Sequence, residues 1–128
     1  MNTATTILNG ATVTAAAENR AGAASVDLNA VTANDVVYEV TVANGSTPPG
    51  QGKYLDVYVA FGTASTVSGI PDTYEATAER IRVLLSGVAS ATKVYLTDSR
   101  LKKARYAYAW YSHEALDAAV TLTLKMVS

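Results

Sequence analysis

The stretch Ala104-Arg105-Tyr106-Ala107-Tyr108-Ala109-Trp110-Tyr111-Ser112 constrains the fold more than any other part of the chain. Successive side chains on a strand point to opposite faces, so Tyr106, Tyr108 and Trp110 share one face. Arg105, Ala107, Ala109 and Tyr111 share the other. Rings on one side and small residues on the other suit a strand in the middle of a sandwich. The expectation is that the rings fill the space between two sheets. The remaining apolar runs read as strands that pack beside or against this one.

Two of those runs alternate cleanly. In Val36–Ala43, Val36, Tyr38, Val40 and Val42 face one way, and Val37, Glu39, Thr41 and Ala43 the other. In Lys53–Phe61, Leu55, Val57, Val59 and Phe61 face inward, and Tyr54, Asp56 and Tyr58 outward. Between them, Asn44–Gly52 holds the turn residues of a loop, so the two strands read as a hairpin. Asn9-Gly10 is the preferred pair for a type I′ turn and predicts a terminal hairpin of Thr5–Leu8 with Ala11–Ala16. Ser25–Leu28 reads as a short strand, and Glu18–Ala23 as a polar connection. Gly62–Thr77 is the longest irregular stretch, of a length used for binding loops, crossovers or interface arms.

The segment that follows is ambiguous by period. Tyr74, Ala78, Ile81 and Leu85 fit one face of a helix after an Asp72/Glu75 capping pattern. Ile81, Val83 and Leu85 equally alternate with Arg80, Arg82 and Leu84, and β surroundings favour a strand from Glu79 to Leu85 after one helical turn. Lys93–Thr97, with Val94 and Leu96 inward, and Ala118–Val127, with Val120, Leu122, Leu124 and Met126 inward, complete the set. The expected fold is all-β, an antiparallel β-sandwich with the jelly roll as one form of it, having long loops and at most a short helical turn. No repeat or internal boundary is visible, so residues 1–128 read as a single domain, large enough to bury roughly two-thirds of its unfolded surface.

Composition excludes several functions. Cysteine is absent, which removes disulfides, thiol catalysis and thiolate metal sites. The net charge is −1 at pH 7, so neither nucleic acid nor an acidic membrane is an expected partner. The N-terminal residues lack a basic segment followed by an apolar one, and no apolar run is long enough to span a bilayer. The expectation is a soluble protein made in a cytoplasm.

No residue set points to a reaction. His113 is the only histidine. With Glu114 and Asp117 it falls short of a transition-metal set, and it reads as a solvated loop residue. Asp56, Asp72, Asp98, Asp117, Glu75 and Glu79 carry no spacing of a glycosidase pair or an EF-hand, and read as turn and solubility residues. Phosphate loops, nucleophile elbows and zinc-protease helices are missing. The chain is therefore expected not to be an enzyme, and no catalytic, metal or cofactor residue is assigned.

Interaction surfaces are the remaining candidates. Arg100, Lys102, Lys103 and Arg105 form the local charge cluster, which reads as a solvated link or as a partner for acidic groups on another subunit. Tyr54 and Tyr58, opposite their strand's aliphatic row, are the candidate surface aromatics. Together Tyr54, Tyr58, Arg100, Lys102 and Lys103 make up the candidate interface. Tyr106, Tyr108 and Trp110 offer a rival use, as a sugar-stacking platform.

The leading Asn2–Thr6, the strand Tyr54–Phe61, the loop Gly62–Asp72 and the closing pair Tyr106–Trp110 and Val120–Met126 give the chain a familiar style. It resembles the small accessory virion proteins of tailed bacteriophages, cysteine-free and rich in Ala, Thr, Val and Ser. The resemblance implies a capsid decoration or cement protein located in the virion after synthesis in the host cytoplasm. It also implies self-association as a dimer or trimer, with a capsid or other virion protein as partner. The alternative is a carbohydrate-binding β-sandwich module using exposed aromatics.

Overall fold

The computed structural model describes residues 4–13, 17–18, 24–29, 31, 35–44, 53–65, 73–85, 92–96, 100–101, 104–113 and 118–127, with backbone alone at 9–13, 17–18, 75, 92–96, 100–101 and 113. Among the described residues ten strands form two antiparallel sheets. They are β1 (Ala4–Val13), β2 (Ala17–Glu18), β3 (Ala24–Asp27), β4 (Asp35–Asn44), β5 (Tyr54–Gly62), β6 (Glu79–Leu84), β7 (Thr92–Leu96), β8 (Arg100–Leu101), β9 (Tyr106–His113) and β10 (Val120–Val127). The first sheet runs β1-β10-β4-β7, with β8 also on β4. The second runs β2-β9-β5-β6, with β3 also on β9. The protein is an all-β antiparallel sandwich.

Its pairing has a simple logic. β1 pairs with β10, β2 and β3 with β9, β4 with β7, and β5 with β6. The chain is thus one long hairpin whose tip lies between β5 and β6. Successive strand pairs of that hairpin fall alternately in the first and second sheet. β10 against β4 and β9 against β5 then close each sheet.

The alternating patterns place the core as expected. Val36, Tyr38, Val40 and Val42 on β4 meet Val120, Leu122, Leu124 and Met126 on β10, all buried. Leu55, Val57 and Val59 of β5 and Ile81, Val83 and Leu85 at β6 face them from the second sheet. Phe61 is half-buried and packs on the same cluster. The strand reading of Glu79–Leu85 holds, preceded by a 3-10 turn at Glu75–Thr77. Strand wins over helix there because β5 offers both a ladder and an apolar face for Ile81 and Val83, which tertiary pairing rewards over local period.

Two expected hairpins are absent. Asn9-Gly10 does not turn the chain: β1 passes straight through it, pairing with β10 from Ala4 to Val13. The register shifts between Thr6 and Leu8, and again between Leu8 and Ala11. Each shift inserts one extra residue, as a β-bulge does, and bulges accept the same Asn and Gly backbone freedom that tight turns use. The first shift explains why the adjacent Ile7 and Leu8 are both buried. The alanine-rich Ala11–Ala16 offers little side-chain area to a hairpin partner, whereas β10 offers a full apolar row.

Val36–Ala43 and Lys53–Phe61 likewise do not pair with one another, since β4 and β5 lie in different sheets. Alternation states which face is apolar but not which strand lies alongside. Two wholly apolar faces are buried more completely opposite each other than side by side. The register also sets Val94 opposite Thr41 and Leu96 opposite Glu39, while Tyr95 is opposite the buried Val40. The side chains of Val94 and Leu96 lie outside the described residues.

Candidate functional site: the outer face of the second sheet

The aromatic strand reverses the expectation that its rings would fill the sandwich. Ala107 and Ala109, not the rings, face the main core, with Tyr111 half-buried beside them. Tyr108 and Trp110 point to the opposite, outer face, where they form a second buried cluster with Ala60. Tyr58, Tyr74, Ala78 and Tyr106 pack against it. The register causes this: β9 is central in its sheet and Ala109 and Ala107 lie opposite Val59 and Phe61 of β5, so the inner face is already furnished. Trp110 instead lies opposite Tyr58, and Tyr108 opposite Ala60.

A cover is what lets rings sit on an outer face. Residues 73–78, ahead of β6, lie against this face as a strap, with Tyr74 against Tyr108 at a centroid distance of 4.8 Å. Tyr108 donates its hydroxyl hydrogen bond to the Ala64 carbonyl at 2.6 Å, and Ser25 donates to the Ser65 carbonyl at 3.1 Å. Thr77 closes the helical turn by donating to the Tyr74 carbonyl. Gly62 makes room for these contacts: a Cβ there would come within 2.6 Å of the Tyr74 hydroxyl and 2.7 Å of the Tyr108 ring. Burial and the neighbouring Tyr74 hydroxyl push the Tyr108 pKa up to about 12. Trp110 is only 1% exposed, with Tyr58 stacked on it at 5.5 Å and 7°.

Beyond this cover the same outer face continues toward the Tyr54 end of β5. Its next tier is Asp56 on β5 with Arg82 on β6, directly opposite in register. Arg82 donates from Nε and Nη2 to the two carboxylate oxygens at 2.9 and 3.0 Å. The expectation that Asp56 is a solvated surface carboxylate is overturned, because it is 4% exposed beneath this fork. Buried charge needs a partner with matched geometry, and the Arg fork supplies it. The Asp56 carboxylate in turn raises the Arg82 pKa above its usual value. The Arg82 guanidinium also lies 4.2 Å from the centroid of the Tyr54 ring. Leu84, opposite Tyr54, is the exposed large hydrophobic of the described residues, at 61%.

The other sequence candidates are dispersed. Tyr54 and Tyr58 are both half-buried on this outer face, Tyr58 under stacking contact and Tyr54 under Arg82. Arg100 lies in β8, paired with Val36 at the edge of the first sheet, so it does not join them. Lys102 and Lys103 lie outside the described residues. Arg105 makes a separate pair, donating to both oxygens of Asp27 at 3.2 and 3.1 Å. That pair, with the Asn29 N–H, lowers the Asp27 pKa.

His113 is not in a loop. It ends β9, opposite Leu55, though its side chain lies outside the described residues. Asp72, Asp98, Glu114 and Asp117 lie outside them as well, as does the Glu75 side chain, while Glu79 is half-buried at the start of β6. Among the described residues no three His, Cys, Asp or Glu side chains gather as a metal site, and no helix is long and apolar enough to cross a membrane.

Sequence reasoning missed Arg82, Asp56 and Leu84 as one surface, because only the β5–β6 register joins them. One signal was present. The outward residues of β5 shrink from Tyr58 to Ala60 to Gly62, which is what a strand needs where a neighbour's ring lies across it. No protein-family model matches the chain, and no curated protein sequence matches it either.

Proposed function

We propose that this protein is a non-enzymatic structural component of a virion, a decoration or cement protein that self-associates and clamps a capsid lattice. The observation that carries the reading is the strand order, a long hairpin rolled into two sheets, which we take to be a jelly roll. That architecture recurs in viral capsid domains and in lectins. Fold alone does not assign function, so the choice between those uses rests on surface chemistry. A sugar platform needs an open ring face, and Trp110 and Tyr108 are covered. The patch of half-buried Tyr54 with exposed Arg82 and Leu84 has the tyrosine and arginine content favoured at protein interfaces.

The test is mass spectrometry of gradient-purified virions that encode the protein, beside native mass measurement of the purified chain. The expected result is a virion component that is a dimer or trimer in solution. A monomer missing from the particle removes this reading.

A further inference from the structure

The outer face of the first sheet is built unlike that of the second. β4 and β10 pair in unbroken register along all eight residues of β10. Their outward residues are Val37, Glu39, Thr41 and Ala43, set opposite Val127, Lys125, Thr123 and Thr121. All are short apart from one directly opposed pair, Glu39 and Lys125. On β1, exposed Thr6 continues the row through Lys125. Each of these nine residues keeps part of its surface in solvent within the folded chain. Under the strap of the other sheet, Tyr108 and Trp110 keep 0% and 1%.

A face of short side chains is flat, and flat β faces stack on one another at about 10 Å. Strand spacing and rise make the four strands β1-β10-β4-β7 about 19 Å across and about 27 Å along β10. A body laid on this face would therefore cover about 500 Å² on each side, about 1,000 Å² in all, which reaches the lower bound of a specific interface.

We propose that this face is the self-association surface of the protein, taken by a second copy laid back to back about a two-fold axis. The axis runs along the strands, between β4 and β10. Charge decides both the occupant and the axis. Such an axis sets β4 of one protomer over β10 of the other. Glu39 then lies against the partner's Lys125, and Lys125 against the partner's Glu39. Thr41 meets the partner's Thr123, and two threonine hydroxyls in contact can exchange a hydrogen bond. Val37 meets the partner's Val127. A two-fold axis across the strands would instead set Glu39 on the partner's Glu39, or leave both charges against threonine, burying each without a counter-charge. A two-fold contact needs a surface that complements itself, and one opposed acid–base pair supplies that complement. The inference rests on the self-association in the proposed function and adds its surface, its symmetry and a dimer as its stoichiometry. The outer face of the second sheet is then left to the larger virion partner.

The test is sedimentation of the full chain over a dilution series, read as the dissociation constant of the dimer. Glu39→Lys and Lys125→Glu should each raise it at least roughly tenfold, because each places two like-charge contacts in the interface. Mixing these two variants should restore a dimer tighter than either forms alone, since every cross-interface contact is again opposite in charge. Restored protomer stability cannot produce that rescue, because within each protomer positions 39 and 125 still carry like charges. Thr41→Lys, pointing away from the core, should also give a monomer. Arg80→Glu, exposed on the second sheet, should leave the dimer unchanged.

A wild-type chain that stays monomeric at high concentration overturns the proposal, and so does a trimer. A dimer that persists in both Glu39→Lys and Thr41→Lys overturns it as well. The virion reading is judged by particle composition, so a chain found in virions whose dimer ignores these changes loses this interface alone.

Discussion

The two faces of the second sheet are buried by different means. The inner face is covered by another sheet, and it uses aliphatic and alanine side chains: Leu55, Val57, Val59, Ala107 and Ala109. Among the described residues the outer face is covered in part by the strap at residues 73–78, and there the sheet uses rings: Tyr58, Tyr108 and Trp110 under Tyr74 and Ala78. A sheet-on-sheet contact brings many residues from both sides, so small side chains suffice. A lone strap brings few, and the sheet itself must supply the bulk. Past the strap Arg82 lies across Asp56 and Tyr54.

If the outer cluster is a second core, its loss should rival that of the first. Trp110→Ala is expected to destabilise by about 3–5 kcal/mol, alongside about 2–5 kcal/mol for Leu55→Ala. Urea unfolding curves check both. A Trp110→Ala cost below about 1 kcal/mol would reduce the outer cluster to surface decoration.

Gly62→Ala probes the strap without touching the inner core. The added methyl meets the Tyr74 hydroxyl and Tyr108 ring, so a loss of about 1–3 kcal/mol is expected. Hydrogen exchange should quicken across residues 73–78 while β10 amides stay protected. Uniform quickening would mean that the two cores unfold as one.

Tyr108→Phe should cost about 0.5–1.5 kcal/mol, the net value of the bond to Ala64. It also carries a pH signature. The folded pKa is about 12 against the ordinary 10.0, so the folded state holds the phenolic proton more tightly. That contribution is fully present below pH 10.0 and is lost as pH rises through about 12. The variant should lose this alkaline slope, together with the absorbance step of tyrosine ionisation near pH 12.

The smallest effect is expected at exposed Leu84. Leu84→Ser should change stability by no more than about 0.5 kcal/mol. A larger loss in dilute solution would show that Leu84 is covered by something within the fold.

Much of this architecture is legible in the residues alone. Period-two alternation names the buried rows of β4, β5, β6 and β10, because a strand with one apolar face has no other way to place it. The change from turn to strand at Glu79 is legible for the same reason. The rings of β9 show the boundary of such reading. Their alternation separates Tyr106, Tyr108 and Trp110 from Ala107 and Ala109, but either set can face the core, and size suggested the wrong one.

What the chain determines by itself is local: the class of element, the division of each strand into two faces, and the lack of any thiol chemistry. What only the tertiary structure decided is pairing. It put β4 and β5 in opposite sheets, ran β1 straight through Asn9-Gly10, joined Asp56 to Arg82, and turned the largest rings outward beneath Tyr74. Each of these depends on which of several similar apolar rows lies alongside or opposite another. That choice is made by the summed burial of the whole sandwich, a quantity no short stretch of sequence contains.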